Sequence, residues 1–189
     1  MTGLHALILA AGSGSRFGGG KLMAPWREGV LIDGAIAAAL AAPAEAILGV
    51  VGADAQVARY LASKDIRTVT AKDHALGLSA SLKAGVAALP SSASGVLIFL
   101  GDMPLVPHAV LAPLAEALAA GAPAAAPEFD GRLGHPVALS ARLFPQVLAL
   151  QGDRGARALL EALGEALVRI SAPDDGVLLD VDRPDQLPI

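Results

Sequence analysis

Two cations stand at the end of a glycine-rich segment near the start of the 189-residue chain. The segment between Gly12 and Gly20 holds five glycines together with Arg16, and Lys21 follows it directly. Glycines allow positive φ angles, so successive N–H groups can point into one anion-binding concavity. A guanidinium and an ammonium on such a loop can neutralise several phosphate oxygens. The pattern predicts a triphosphate-binding loop, and the alternative is a flexible loop with solvated cations.

Aspartates close two apolar runs further along the chain. Asp102 ends the run GVLIFLGD (95–102), and Asp180 and Asp182 end the run GVLLDVD (176–182). A spacing of two residues places Asp180 and Asp182 on one side of a predicted strand. At the same sheet edge as the cations, Asp102 can hold Mg²⁺, which in turn binds triphosphate oxygens. The alternative is that Asp102 caps the next helix.

Short apolar runs alternate with helical patterns in the first half of the chain. The predicted strands are 4–11, 46–52, 66–71 and 95–102, and the predicted helices are 31–42, 54–63 and 77–89. The strands are nearly continuous hydrophobic runs, which is typical of parallel strands buried on both faces. This order predicts a three-layer α/β fold with a doubly wound, mostly parallel sheet and helices on both faces.

The second half continues with less regular elements. We expect a helix at about 107–120, a strand at 123–127, and a hairpin over 129–139 that turns at an Asp-Gly pair. Helical patterns at about 140–150 and 154–164 lead to the apolar runs ALVRIS and GVLLDVD. With no linker or repeat in between, residues 1–189 are predicted to form a single domain.

Composition excludes several classes of protein. Hydrophobic residues make up 54% and charged residues 17% of the chain, and the net charge is −4, which gives no support for binding nucleic acid or a membrane surface. The chain has no cysteine, so disulfides and thiolate metal sites are excluded. With no apolar span of bilayer length and no signal-peptide pattern, a cytoplasmic protein is expected.

Two common nucleotide-binding motifs do not fit the glycine loop. A P-loop requires a hydroxyl residue after its lysine, and Leu22 stands after Lys21. A dinucleotide-binding fingerprint requires a third glycine where Phe17 stands.

The segment LAAGSGSRFGGGKLMAP resembles the signature of nucleotidyltransferases with the nucleotide-sugar pyrophosphorylase fold, and is most similar to molybdenum cofactor cytidylyltransferases and their relatives. The resemblance covers nearly the whole chain, because GLSASLKAG (77–85), LGDMPLV (100–106), GHPVAL (134–139), GDRGAR (152–157) and DVDRPDQL (180–187) recur in the family's order. Here Arg183 and Gln186 stand where the family pattern has Thr and Asp.

The resemblance implies roles for individual residues. Arg16, Lys21 and Asp102 would be catalytic, and Asp102 and Asp182 would bind Mg²⁺. The alternative to a structural Asp180 is that Asp180, in place of Asp182, is the second metal ligand. The implied nucleotide-binding residues are Leu9, Ala10, Ala11, Gly12, Gly14, Ser15, Arg16, Lys21, Gly77, Ser79, Ser81 and Gly101. For Ser79, the alternative is a helix N-cap.

An acceptor site is implied by the later motifs. His135 and Pro136 would line the side where a pterin phosphate is held. Asp153 and Arg157 would bind an anionic acceptor at a helix N-terminus, and the alternative is an N-cap followed by a solvated arginine face.

The implied reaction is transfer of a nucleoside monophosphate, CMP from CTP, to the phosphate of molybdopterin with release of pyrophosphate. The alternatives are a guanylyl- or adenylyltransferase, another phosphorylated small acceptor, or a catalytically silent carrier. The implied partners are CTP, a molybdopterin-type acceptor and a molybdenum-dependent dehydrogenase that receives the cofactor.

Overall fold

A mixed eight-stranded sheet forms the centre of the computed structural model, which describes residues 2–12, 14, 17–73, 77–150 and 156–187. Its strands are β1 (Leu4–Ala10), β4 (Ala46–Val51), β5 (Arg67–Thr70), β6 (Gly95–Leu100), β7 (Ala124–Phe129), β8 (Arg132–Leu133), β9 (Val137–Ser140) and β10 (Leu167–Ser171). A separate small hairpin consists of β2 (Pro25–Trp26) and β3 (Gly29–Val30).

Strand order along the sheet is β10-β7-β9-β6-β1-β4-β5, with β8 beside β7. Parallel pairing joins β1 to β4 and β6, β4 to β5, and β7 to β10. Strand β9 runs antiparallel between β6 and β7, so the carboxyl ends of β6, β7 and β10 still share one edge with that of β1. The predicted doubly wound, mostly parallel sheet is confirmed.

Helices cover both faces of the sheet. They are α1 (Ile32–Ala41), α2 (Ala55–Ser63), α3 (Leu78–Ala87), α4 (Leu111–Ala119), α5 (Phe144–Ala149) and α6 (Arg157–Leu163). One buried cluster packs α1, α2 and α4 against the sheet, and a second packs α3, α5 and α6 against the opposite face. Among the described helices, none has the length and apolar character needed to cross a bilayer.

The chain reverses its direction across the sheet after β5. After β1 it proceeds to β4 and β5 on one side, and then crosses to β6 on the other side of β1. In open α/β sheets, ligands bind beyond the carboxyl ends of strands at such a switch point. The segments that follow β1 and β6 carry Lys21 and Asp102, so the topology brings these two residues to the same place.

The structure confirms one of two further sequence predictions and contradicts the other. The Asp-Gly turn is confirmed, because Asp130 and Gly131 have φ angles of 47° and 73° and connect β7 to β8. The prediction that Asp180 and Asp182 share one side of a strand is wrong. In the described residues a 3₁₀ turn (Asp175–Val177) begins this stretch, and residues 178–183 pair with no strand.

Candidate functional site

Lys21, Asp102 and Asp182 meet beyond the carboxyl ends of β1 and β6, and we call them the charged cluster. The Lys21 Nζ atom lies 2.6 Å from Asp102 Oδ2 and 3.5 Å from Asp182 Oδ1. The Lys21 side chain is only 11% exposed, against 24% for Asp102 and 37% for Asp182. The two carboxylates therefore converge on one partly buried cation, although 80 residues of sequence separate Asp102 from Asp182.

The glycine loop fixes the direction from which Lys21 approaches. The Gly14 carbonyl accepts hydrogen bonds from the N–H groups of Phe17 (2.9 Å) and Gly19 (3.1 Å). A Cβ added to Gly14 would lie 3.0 Å from Lys21 Cβ, and Gly14 and Gly20 have φ angles of 57° and 64°. The loop thus needs glycine both for its turn and for its close approach to Lys21.

Asp102 is held in place by the strand before it and by a helix. The N–H group of Gly101 donates to the Leu9 carbonyl at 3.0 Å, which continues the β1–β6 pairing by one residue. Gly34 of α1 lies against the backbone of Pro104, where an added Cβ would come within 2.3 Å of the carbonyl oxygen. The close packing of α1 therefore fixes the loop that carries Asp102.

A nearby hydrogen bond and an apolar contact bring Asp182 to the cluster. The N–H group of Val181 donates to the Asp102 carbonyl at 3.0 Å, and the Val181 side chain packs with Trp26 and Leu31. The Gln186 side-chain oxygen accepts from the N–H group of Asp182 at 2.9 Å. Thus Gln186, a departure from the resembled pattern, supports the backbone that presents Asp182.

Lys21 also lines a small pocket between the ends of β1 and β4, which we call the β1–β4 pocket. It has a volume of about 150 Å³ and is lined by Ala10, Ala11, Gly12, Gly20, Lys21, Leu22, Gly52, Ala53, Asp54 and Val57. Asp54 caps α2, since its carboxylate accepts a hydrogen bond from the Gln56 N–H group at 2.8 Å. Backbone and small side chains from two neighbouring strand ends therefore form most of this pocket.

A larger cleft of about 570 Å³ lies on the sheet face covered by α3, α5 and α6, and we call it the β6–β10 cleft. Its apolar lining is Leu78, Leu100, Met103, Leu133, Val137, Ala156, Leu160, Val177 and Leu178, and its polar lining is Arg132, His135, Arg157, Glu161, Arg169 and Asp180. Strands β6 and β10 are three strand positions apart, which is roughly 14 Å at the usual strand spacing. The cleft can hold an elongated ligand with an apolar body.

Two of the cleft arginines are paired with glutamates. Arg157 Nε lies 3.0 Å from Glu161 Oε1 one helical turn later, and the Arg169 guanidinium contacts the Glu128 carboxylate across β7 and β10. Both guanidinium groups are more than half exposed. Exposed ion pairs contribute little stability, so these arginines remain able to bind an anionic or carbonyl oxygen of a ligand.

His135 lies where the cleft approaches the charged cluster. Its backbone N–H group donates to the Val177 carbonyl at 2.8 Å, and the imidazole Nδ1 atom is 3.4 Å from the Ile98 carbonyl. Burial lowers the pKa of the imidazole below its ordinary value of 6.5, while the Ile98 carbonyl and the charges of Asp102 and Asp180 oppose that shift. The side chain is therefore neutral at neutral pH.

A family model matches residues 6–167, which include the glycine loop, Asp102, and the cleft residues Arg132, His135 and Arg157. Its description is MobA-like NTP transferase domain. The chain belongs to this family.

The relatives align with nearly the whole length of this chain. It is 29% identical to the molybdenum cofactor cytidylyltransferase of Escherichia coli, covering 98% of this chain and 94% of the relative, and 30% identical to the nicotine blue oxidoreductase of Paenarthrobacter nicotinovorans, covering 96% and 93%. Among solved structures, Rv0371c of Mycobacterium tuberculosis matches with a TM-score of 0.87 at 27% identity, covering 98% of this chain and 95% of that one. A nucleotidyl transferase of Methanothermobacter matches with a TM-score of 0.83 at 28% identity, covering 98% and 94%.

The predicted nucleotide-binding residues fall into two groups, one at the end of β1 and one at the start of α3. Ala10, Ala11 and Gly12 line the β1–β4 pocket beside Lys21, and Leu9 and Gly101 form its supporting backbone pair. Gly77 begins α3 with a φ angle of 105°, which favours glycine.

The two serines of α3 are buried. Ser79 and Ser81 are 2% and 5% exposed and lie in the first turns of the helix. The alternative interpretation of Ser79 as the N-cap is wrong, because Gly77 is the N-cap and no side-chain cap hydrogen bond forms there.

Several predicted residues lie elsewhere or outside the described part of the chain. His135 and Arg157 line the β6–β10 cleft, and the buried Pro136 follows His135 through a cis peptide bond. Ser15, Arg16 and Asp153 fall outside the described residues. Asp102 caps no helix among those described, which removes that alternative.

The sequence motifs do not include the cleft residues contributed by β8 and β10. Arg132 and Arg169 carried no motif, yet a signal existed for Arg169, which follows the buried Leu167 at strand spacing and so shares its face. The Gly52–Asp54 segment was also missed, although it follows a buried strand that ends at the same sheet edge as β1.

Proposed function

We propose that this protein is a Mg²⁺-dependent nucleotidyltransferase that transfers CMP from CTP to the phosphate of a molybdopterin-type acceptor and releases pyrophosphate. The observation that carries the proposal is the charged cluster, in which Lys21 Nζ lies 2.6 Å from Asp102 and 3.5 Å from Asp182 beside a glycine loop. A cation and two carboxylates at a strand switch point suit a triphosphate and its metal ion.

The nucleotide would bind on the β1 side of the cluster. Lys21 reaches both the β1–β4 pocket and the cluster, so its ammonium can hold triphosphate oxygens, assisted by Arg16. One observation favours CTP or ATP over GTP, and a second favours CTP. The segment Ala10-Ala11-Gly12 resembles that of cytidylyl and adenylyl enzymes, and the Escherichia coli relative is named a cytidylyltransferase.

The carboxylates fit a divalent cation, because they already converge on one cationic group, the Lys21 ammonium. Among the described residues no cluster of three or more acidic or histidine side chains has the arrangement of a metal site. Mg²⁺ is commonly bound by one or two carboxylates together with substrate phosphates and water. Asp102 and Asp182 would hold the ion, which when bound stabilises charge on the reacting and leaving phosphate groups.

The acceptor would occupy the β6–β10 cleft. A terminal phosphate oxygen of the acceptor attacks the α-phosphorus of CTP, the bond from that phosphorus to the bridging oxygen breaks, and pyrophosphate leaves. The chain's contribution is to orient both substrates and stabilise charge. His135 at the inner end and Arg157, Arg132 and Arg169 at the outer end would hold the acceptor, with Asp153 assigned here by resemblance alone.

One relative of similar identity bears the name of an oxidoreductase, so the names of the relatives do not agree on one reaction. Nucleotidyl transfer is favoured by the charged cluster, because its three groups serve phosphate and metal binding directly. The silent-carrier alternative, delivery of cofactor to a dehydrogenase and a cytoplasmic location stay predictions.

The decisive experiment measures pyrophosphate release by the purified protein with molybdopterin as acceptor, Mg²⁺, and CTP, GTP or ATP in separate reactions. We expect fastest release with CTP, and none after chelation of the metal or omission of the acceptor. If pyrophosphate release is fastest with GTP or ATP, the proposed nucleotide substrate, CTP, is wrong. Tight nucleotide binding without release would favour a carrier and overturn the enzymatic proposal.

A further inference from the structure

The Lys21 ammonium occupies the position between Asp102 and Asp182 that a divalent cation would need. It contacts Asp102 Oδ2 at 2.6 Å and Asp182 Oδ1 at 3.5 Å, and its side chain is the least exposed of the three. Among the described residues, the Lys21 ammonium thus faces two carboxylates. The pair of carboxylates is partly neutralised before any ligand arrives.

A divalent ion cannot join this arrangement unless the lysine moves. If Lys21 stayed, its ammonium would lie within a few ångströms of the ion on the same carboxylate oxygens, and like charges at that distance repel strongly in a partly buried site. Metal binding to the protein alone therefore competes with an internal ion pair.

Lys21 has a second direction available. The β1–β4 pocket, which Lys21 also lines, is otherwise formed mainly by backbone and small residues such as Gly12 and Gly20. Phosphate oxygens placed there would give the ammonium a new anionic partner, and the flexible four-carbon stem of lysine permits the change. The carboxylates would then be free for the metal ion.

We propose that Lys21 competes with divalent metal for Asp102 and Asp182. In the nucleotide-free protein its ammonium pairs with both carboxylates, and when nucleotide binds the ammonium moves to the triphosphate. Divalent metal therefore binds tightly only together with nucleotide. This inference rests on the proposed function for the identity of the nucleotide. By thermodynamic linkage, metal must strengthen nucleotide binding by the same factor as nucleotide strengthens metal binding. Lys21 is in this role a coupling residue as well as a phosphate ligand.

The test measures Mn²⁺ affinity by electron paramagnetic resonance, with and without a non-hydrolysable CTP analogue. The proteins are the wild type, Lys21→Met and a control, Lys83→Met. Lys83 is a suitable control because it is also partly buried and is satisfied by one hydrogen bond, to the Leu150 carbonyl at 2.8 Å, away from the cluster.

In the wild type and in Lys83→Met we expect the analogue to tighten Mn²⁺ binding by about tenfold or more, within the usual range of coupling between sites. Lys21→Met should bind Mn²⁺ about tenfold more tightly than the wild type without nucleotide, and the analogue should add much less. A further readout is thermal unfolding, where Mn²⁺ alone should raise the Tm of Lys21→Met more than that of the wild type.

Equal or weaker Mn²⁺ affinity of Lys21→Met without nucleotide would overturn the inference, and so would coupling as large as in the wild type. Titration calorimetry of the analogue on the wild type separates the two proposals. If the wild type binds the analogue normally and Lys21→Met has an unaltered Mn²⁺ affinity, only the proposed competition between Lys21 and the metal is refuted. Absence of both analogue and Mn²⁺ binding in every protein refutes the proposed function as well.

Discussion

The charged cluster and the β6–β10 cleft lie next to each other but are built in opposite ways. The cluster consists of three charged side chains that follow strand ends or a neighbouring extended segment, and backbone contacts hold each of them. The cleft is mostly apolar, spans three strand positions, and takes its polar groups from four separate parts of the chain. Chemistry that must be exact is placed on rigid backbone, whereas recognition is spread over surfaces that can vary.

The largest effect is expected from removing one charge of the cluster. Asp102→Asn preserves volume but loses a carboxylate that faces Lys21 and the proposed metal ion. We expect kcat to fall by roughly 10²- to 10³-fold, as for loss of one important electrostatic group, with the acceptor KM little changed. Steady-state pyrophosphate release measures both quantities.

Asp65→Asn is the matched control for this change, because Asp65 is exposed, remote from the cluster, and has a φ angle of 58° that asparagine tolerates. Its kcat should equal that of the wild type. Retention of full Mg²⁺-dependent turnover by a folded Asp102→Asn protein would remove the metal role from the cluster.

A steric change should damage the cluster without touching its charges. In Gly34→Ala the added methyl group would come within 2.3 Å of the Pro104 carbonyl oxygen, a backbone atom that cannot rotate away. We expect a loss of about 1–3 kcal/mol in the free energy of unfolding and a lower kcat, because the loop that carries Asp102 must shift. Chemical denaturation and kinetics on the same sample check this.

Leu40→Ala serves as the comparison on the same helix, since Leu40 is 65% exposed. Its stability should change by less than about 0.5 kcal/mol, as for other exposed positions. Wild-type stability in Gly34→Ala would mean that α1 does not hold the Asp102 loop in the way its packing indicates.

The cleft should respond differently, through the acceptor alone. Arg169→Met removes a guanidinium at the outer end of the cleft while keeping an apolar stem of similar length. We expect the acceptor KM to rise by about tenfold, the value of one charge-assisted hydrogen bond, with the CTP KM unchanged. Kinetics with each substrate varied in turn separate the two constants.

Arg67→Met is the natural control, because β5 and β10 are the two edge strands of the same sheet and Arg67 is also exposed. Arg67 donates to the Ala88 carbonyl at 3.2 Å and lies at the opposite end of the sheet. An equal rise in the CTP and acceptor KM values for Arg169→Met would contradict the division between the two regions.

The same division explains what could be predicted from the sequence. The strands, the glycine loop and Asp102 have local signals, namely apolar runs, positive-φ residues and a carboxylate after a buried strand. The cleft depends on long-range pairing, since β9 inserts antiparallel between β6 and β7 and thereby sets how far Arg169 lies from Asp102. No local pattern encodes that insertion.

The C-terminal segment shows the same limit in a single error. Alternating apolar and acidic residues predicted a strand with Asp180 and Asp182 on one side. Instead, Val181 is anchored to the Asp102 carbonyl and packs on Trp26, while Asp180 lines the cleft and Asp182 contacts Lys21. Burial does not alternate along this stretch, because Leu179 and Asp180 are both exposed, and Val181 is buried by its contact with distant residues and not by a strand.

His135 lies between the two regions, and the smallest effect concerns its protonation. Burial lowers the pKa of its imidazole below 6.5, so the unfolded chain takes up a proton at a higher pH than the folded protein does. The free energy of unfolding should therefore fall as the pH decreases from about 6.5, by less than about 1.4 kcal/mol per pH unit from this residue.

His135→Gln should show a weaker loss of stability between pH 7.5 and 5.5 in chemical denaturation, whereas His108→Gln, at an exposed position, should follow the wild type. A pH dependence identical in the wild type and His135→Gln would mean that the imidazole is solvated in the cleft, and that the acceptor site is more open than its buried wall indicates.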